Sequence, residues 1–224
     1  MKRQLFIDTA NLQEIEDSLQ TGIVRGVTTN PSLMAKEPKS DFITHIQKIV
    51  ELCRAAGTIP LSVEVFAKEP TDMYTQAVQI YKELDYTNLN IKIPIGYEEL
   101  KIIHLLTKKE KIPVNCTCCF TSAQLESAAA AGARYVSLFY NRLVDVNGDP
   151  RRVLEETNRF IENNCLNSQI IAGSIRYTKD VSSAWNAGAH VVTAGYKIIS
   201  NMTKHPQTDK SVQGFLSDFE GWLA

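Results

Sequence analysis

The most informative residue is a lysine set among apolar neighbours. Lys92 lies in the run Leu89-Asn90-Ile91-Lys92-Ile93-Pro94. An ammonium in such a setting is costly to bury. Burial therefore favours the neutral amine, and a neutral lysine amine attacks ketones to form a Schiff base. Two plainer readings stand beside this one: Lys92 reaches out to solvent, or it pairs with Glu64. Other polar residues end short apolar runs in the same way. They are Asp8, then Thr28, Thr29 and Asn30, then Glu64, Asn115 and Thr117, and Ser137 with Phe139. Asn141 and Arg142 follow closely, and Ser174 and Arg176 come after a later run. Asp8 alone reads more readily as a strand-end cap than as an acid–base group. Metal chemistry has little support. Cys116, Cys118 and Cys119 are too close together on one strand to close a tetrahedral site, and the four histidines lack any HExxH or HxH spacing. Lys197, after Tyr196, is a second candidate amine but fits the start of a helix better.

These residues need elements to bring them together. Short apolar runs occur at Gln4–Asp8, Ile23–Thr28, Leu61–Val65, Leu89–Ile93, Val114–Cys118, Tyr135–Phe139, Gln169–Ala172 and His190–Ala194. Each is rich in branched or aromatic residues, as buried parallel strands are. Helical spacing lies between them, as in Leu12, Ile15 and Leu19 after the N-cap candidate Asn11. Eight strand–helix units in a chain of 224 residues predict a (β/α)8 barrel rather than an open doubly wound sheet. The GxGxxG dinucleotide fingerprint is absent from the sequence. Chemistry in such a barrel gathers at the C-terminal ends of the strands. Strand alternation then predicts that Asn90 and Lys92, Asn115 and Thr117, and Ser137 and Phe139 point inward. The same alternation turns Cys116 and Cys118 toward the helices. Pro206–Lys210 reads as a loop before a last helix, Val212–Leu223, whose Phe215, Phe219 and Trp222 need a surface to pack on.

Composition narrows the function classes. Hydrophobic residues make up 44% and charged residues 22%, an ordinary globular balance. A net charge of −1 offers no basic excess for nucleic acid. No apolar run approaches the ~20 residues of a membrane span, and the start lacks the apolar core of a signal peptide. Five cysteines without an export signal predict a reduced, cytoplasmic setting. No linker divides the chain, so residues 1–224 are expected to form one barrel domain, with 212–224 packing on a neighbouring subunit.

The segments FIDTANLQEI, GVTTNPSLMAKE, LSVEV, NIKIP, VNCT, AAAAGARYVSLFYNR, AGSIR and KHPQTDKSVQGF together resemble the transaldolase family, in particular its small, fructose-6-phosphate aldolase-like members. The resemblance runs from Phe6 to Phe215. It implies a Schiff-base lysine at Lys92 and an acid–base aspartate at Asp8. Glu64 would act through a water held by Thr117, with Asn115 beside it. Thr28, Asn30, Ser137 and Phe139 would contact the donor, and Arg142, Ser174 and Arg176 would hold its distant anion. It also implies cofactor-independent transfer of a dihydroxyacetone unit between sugar phosphates, a place in the pentose phosphate pathway, and assembly into pentamers or decamers.

Departures from the family pattern lie near the mouth. SLFYNR stands where SPFVGR is usual, Cys118–Cys119 replaces a hydrophobic pair, and Gly195 replaces a proline. These bear on the acceptor and on the terminal anion, so a sulfonated ketose is an alternative substrate. The aldolase branch, which releases dihydroxyacetone, carries glutamine and tyrosine where this chain has Glu64 and Phe139. A deoxyribose-phosphate-type aldolase would need a second lysine beside Lys92. A sugar-phosphate-binding barrel without turnover is the non-enzymatic alternative.

Overall fold

The computed structural model describes residues 3–223; Met1, Lys2 and Ala224, at the limits of the expected 1–224 domain and 212–224 helix, lie outside the described residues. The chain runs β1 (Gln4–Asp8), α1 (Leu12–Gln20), β2 (Val24–Thr28), α2 (Pro31–Met34), α3 (Phe42–Ala55), β3 (Leu61–Glu64), α4 (Pro70–Leu84), β4 (Leu89–Pro94), α5 (Tyr97–Lys108) and β5 (Val114–Cys119). It continues through α6 (Ser122–Ala131), β6 (Tyr135–Phe139), α7 (Tyr140–Asp145), α8 (Pro150–Asn163), β7 (Gln169–Ile175), α9 (Thr178–Asn186), β8 (Val191–Ala194), α10 (Tyr196–Asn201) and α11 (Pro206–Leu223). The eight strands are parallel and close in sequence order, with Leu5 of β1 opposite Val192 of β8. This is the expected (β/α)8 barrel with an added C-terminal helix. The helix start expected after Asn11 is present, since its side chain accepts from the Glu14 amide. Lys197 lies on α10 and is exposed.

Two apolar cores hold the barrel. The larger one fills the space between strands and helices. The smaller one, Phe6, Tyr135, Ile171 and Val191, plugs the lumen. Phe6 and Tyr135 meet edge to face with centroids 6.2 Å apart. Gly26 is dictated by this plug, because a Cβ there would fall 2.6 Å from the Phe6 ring. Strand alternation places Asp8, Ser137, Gly173 and Thr193 two residues further along on the same inward faces. These four therefore form the next layer up, above the apolar plug.

Two interruptions of the strand pattern shape the mouth. The β5–β6 register slips between Cys116 and Cys119, and Cys118 adopts a left-handed backbone at φ +62°. The β7–β8 register slips between Ala172 and Ile175, where Ser174 has φ +57°. Left-handed conformations at non-glycine residues cost on the order of 1–3 kcal/mol and cluster at functional sites. The first bulge corrects the expected alternation. Cys118 turns into the central cavity, and Cys119 takes the buried position toward the helices.

The end of the chain also departs from expectation. Pro206–Lys210 is not a loop but the first turn of α11. Proline fits a first helical turn because its missing N–H has no intrahelical partner to lose, and the amide of Gln207 is met by the His205 ring nitrogen. Every described residue of α11 is exposed. Its Phe215, Phe219 and Trp222 gain no cover from the barrel, and Phe219 stacks only on Trp222.

Candidate active site

A cavity of about 420 Å³ opens at the C-terminal ends of the strands. It is lined by every residue expected at the site except Arg176: Asp8, Thr28, Asn30, Glu64, Lys92, Asn115, Thr117, Ser137, Phe139, Arg142 and Ser174. A larger cavity of about 540 Å³ lies beside it, beyond Asn30 and Glu64, and contains neither Lys92 nor Asp8. The residues expected to do chemistry gather in the smaller one.

Lys92 is buried, with a side chain 7% exposed. Its Nζ lies 2.9 Å from Glu64 Oε2 and donates to the Thr29 carbonyl at 2.7 Å. The pairing with Glu64, posed as an alternative to chemistry, is thus present. The carboxylate stands where the ammonium's proton can go, and a buried charge is tolerated only when partnered in this way. The register of β3 against β4 produces the contact, with Glu64 opposite Lys92.

Across the lumen, Asp8 Oδ1 accepts from Thr28 Oγ1 at 2.7 Å, and Thr28 Oγ1 lies 2.7 Å from Thr193 Oγ1. On the other flank, Ser137 donates to Asn115 Oδ1 at 2.6 Å, and Asn115 Nδ2 donates to Ser62 at 3.1 Å. These side chains hold one another as well as facing the cavity. Thr117 Oγ1 is buried without a hydrogen-bond partner among the described residues. An orphaned buried hydroxyl is costly unless a bound molecule meets it. Asn30 caps α2 by accepting from the Leu33 amide at 3.0 Å, and it lines the cavity.

The rim is built differently. The Arg142 guanidinium lies 4.6 Å from the centre of the Phe139 ring, and Phe139 meets Phe120 edge to face. Arg142 sits on α7, which is tied from both sides. Asn141 donates to Asp180 at 2.8 Å, and Arg176 grips Asp145 through two hydrogen bonds of 2.7 and 2.6 Å. The Arg176 contact holds the Asp145 carboxyl below its ordinary range. Arg176 is therefore outside the cavity, its fork occupied, and the structure does not bring it to the other site residues.

The Cys118 thiol faces the cavity, but burial, reinforced by the charge of Glu64, pushes its pKa up and keeps it protonated. Thr193, Lys36, Ser32 and Gly173 also line the cavity and were not singled out from the sequence. Thr193 had a readable signal, since it shares an inward face with Val191; Lys36 had none, because it lies in the turn after α2. Among the described residues no group of three or more His, Cys, Asp or Glu side chains could hold a metal ion, and no helix is long and apolar enough to cross a membrane.

Comparison with known proteins agrees with this geometry. Residues 5–222 match the family model described as transaldolase/fructose-6-phosphate aldolase. A probable transaldolase of Clostridioides difficile (strain 630) is 39% identical over 218 residues, covering 97% of each chain. A probable transaldolase of Thermoanaerobacter sp. (strain X514) is 38% identical over 216 residues, or 96% of each. One from Clostridium kluyveri is 40% identical over 217 residues, again 97% of each. A lysine–glutamate pair buried at the mouth of a (β/α)8 barrel, and a match along nearly the whole chain, lead to one conclusion: this chain belongs to the transaldolase/fructose-6-phosphate aldolase family.

Proposed function

We propose that this protein is a class I transaldolase that moves a dihydroxyacetone unit from a ketose phosphate, such as fructose 6-phosphate, to an aldose phosphate. The observation that carries the reading is the buried Lys92 amine held against Glu64 in the cavity. Glu64 takes the ammonium proton, and the free amine attacks C2 of the donor. Loss of water from the carbinolamine gives the iminium, with Glu64 returning the proton through a water that Thr117 holds. Asp8 then takes the proton of the C4 hydroxyl. The C3–C4 bond breaks, and its electron pair flows into the iminium to form an enamine. The first aldose leaves. C3 of the enamine attacks the aldehyde of the second aldose, Asp8 returns its proton to the new hydroxyl, and hydrolysis frees Lys92. The iminium is the electron sink, so the step asks for no added group.

Asn30, Asn115 and Ser137 hold the donor hydroxyls, and this orientation supplies much of the rate. Arg142 and the Ser174 hydroxyl meet the distant phosphate, while Arg176 sets the position of α7 through Asp145. Phe139 closes one wall with a ring that has no proton to give. The enamine therefore waits for an acceptor rather than being quenched. The exposed apolar face of α11 supports a homo-oligomer in which this helix packs on a neighbouring subunit. A cytoplasmic role in the pentose phosphate pathway fits the substrates proposed.

The test is a covalent trap. The protein is incubated with fructose 6-phosphate, reduced with borohydride, and mapped by peptide mass. The expected adduct is on Lys92; labelling of Lys197 or of no lysine sinks the mechanism.

A further inference from the structure

We propose that Thr193 is a positioning residue for Asp8, acting through Thr28. The direction of the hydrogen bonds decides this. Thr28 has one hydroxyl proton, and it goes to Asp8 Oδ1 at 2.7 Å. The 2.7 Å contact between Thr28 and Thr193 must therefore be donated by Thr193. The chain runs from the Thr193 hydroxyl to the Thr28 hydroxyl to the carboxylate, and each bond polarises the next. It spans the seam where β1 is flanked by β2 and β8, so it ties the catalytic carboxylate to both neighbouring strands. Thr28 and Thr193 are buried, at 2% and 5% exposure, which shields the chain from competing water.

The arrangement holds one carboxylate oxygen and leaves the other. Asp8 Oδ2 takes no hydrogen bond among the described residues, while Asp8 itself lines the cavity. The Oδ1 anchor fixes the carboxylate so that Oδ2 is the atom presented to the C4 hydroxyl. When Asp8 accepts that proton, its negative charge is lost and the two hydroxyls are free to turn. When the proton returns to the acceptor's new hydroxyl, the chain re-forms and restores the same geometry. Thr193 touches no reacting atom in this scheme. On its other side, a Cβ at Gly173 of β7 would come within 3.4 Å of the Thr193 methyl. The threonine side chain is thus seated between β1, β2 and β7 with little freedom to rotate.

This inference rests on the transaldolase reading, and the experiment separates the two. Thr193→Val removes the hydroxyl and keeps the shape. The expected result is a fall in kcat on the order of tenfold, with the donor KM within about twofold. Borohydride trapping on Lys92 should remain as rapid as in the wild type, because Schiff-base formation precedes the Asp8 step. Thr193→Ser should restore most of the loss. In an Asp8→Asn background Thr193→Val should cause no further decrease, since the carboxylate it positions is gone. Thr193→Ala, which removes the hydroxyl and adds no bulk, carries the same expectations if circular dichroism shows that the valine variant does not fold. Wild-type kcat in a folded valine or alanine variant overturns the proposal. So does parallel loss of trapping and turnover, or an equal loss in the Asp8→Asn background. Absence of any Lys92 adduct in the wild type overturns the transaldolase reading itself, and this inference with it.

Discussion

The floor of the cavity and its rim handle charge in opposite ways. At the floor, Lys92 and Glu64 are buried against each other, 7% and 14% exposed. At the rim, Arg176 and Asp145 are paired with ideal bidentate geometry but stand 46% and 49% in solvent. Burial makes the first pair indispensable to itself, because either partner alone is an uncompensated charge with little solvent around it. Exposure makes the second replaceable, since water solvates either partner alone. The proposed chemistry falls where geometry is enforced by strands on every side. The proposed recognition of the anion falls to α7, a helix of six residues clamped by Asp180 and Arg176.

Breaking the floor should have the largest effect. Lys92→Met should abolish turnover and adduct formation, a loss on the order of 10⁴-fold or more given the role of a covalent nucleophile. It should also leave Glu64 without its partner and destabilise the fold by about 3–5 kcal/mol. Thermal unfolding alongside activity checks both parts. An active Lys92→Met enzyme would erase the distinction drawn between floor and rim.

The rim comes next. Arg142→Ala should lower kcat/KM for a phosphorylated donor by roughly 10- to 100-fold, as expected for charge-assisted hydrogen bonds worth about 1.5–3 kcal/mol. A non-phosphorylated ketose such as dihydroxyacetone should be nearly unaffected. Arg176→Ala should act in the same direction but by only a few-fold, because it reaches the anion through Asp145 and α7. Equal losses for Arg142→Ala and Arg176→Ala would show that Arg176 leaves Asp145 and contacts the anion itself.

Phe139→Tyr tests the wall between floor and rim. A phenol there offers the waiting enamine a proton, so release of dihydroxyacetone from fructose 6-phosphate without acceptor should rise several-fold. Rapid release by the wild type, at the rate of transfer, would favour the aldolase reading. The smallest effect concerns the opposite end of the barrel. His190 is buried and its Nδ1 accepts the Ile170 amide at 3.0 Å, so the folded protein holds it neutral and its pKa lies below the ordinary value. The unfolded chain takes up this proton near pH 6.5. Stability should therefore fall slightly as pH drops from about 6.5 toward 5, and His190→Asn should lack that component. Activity at the mouth should not follow this transition.

The eight strands, their order and most of the cavity lining were legible in the residues. Parallel strands buried on both faces show as short runs of branched apolar residues, and a period of two then assigns Lys92, Asn115, Thr117 and Ser137 to one interior. Short helices such as α2 and α7 were not legible, because one or two turns are too brief to show a helical period. Pro206–Lys210 reads as a loop, whereas Pro206 opens the last helix.

What the sequence determined by itself is whatever depends on neighbours a few residues apart: strand, helix, inward or outward face, and the presence of one apolar-flanked lysine. What only the tertiary structure decided is whatever depends on the adjoining strand or loop. The turn of Cys118 into the cavity comes from a slip of β5 against β6. The holding of Arg176 outside the cavity comes from Asp145 on a separate helix. The recruitment of Thr193 to Asp8 comes from closure of the barrel between its first and last strands, which brings together hydroxyls 165 residues apart. Contacts made across such separations follow from the register and closure of the sheet, and no local pattern of residue types encodes them.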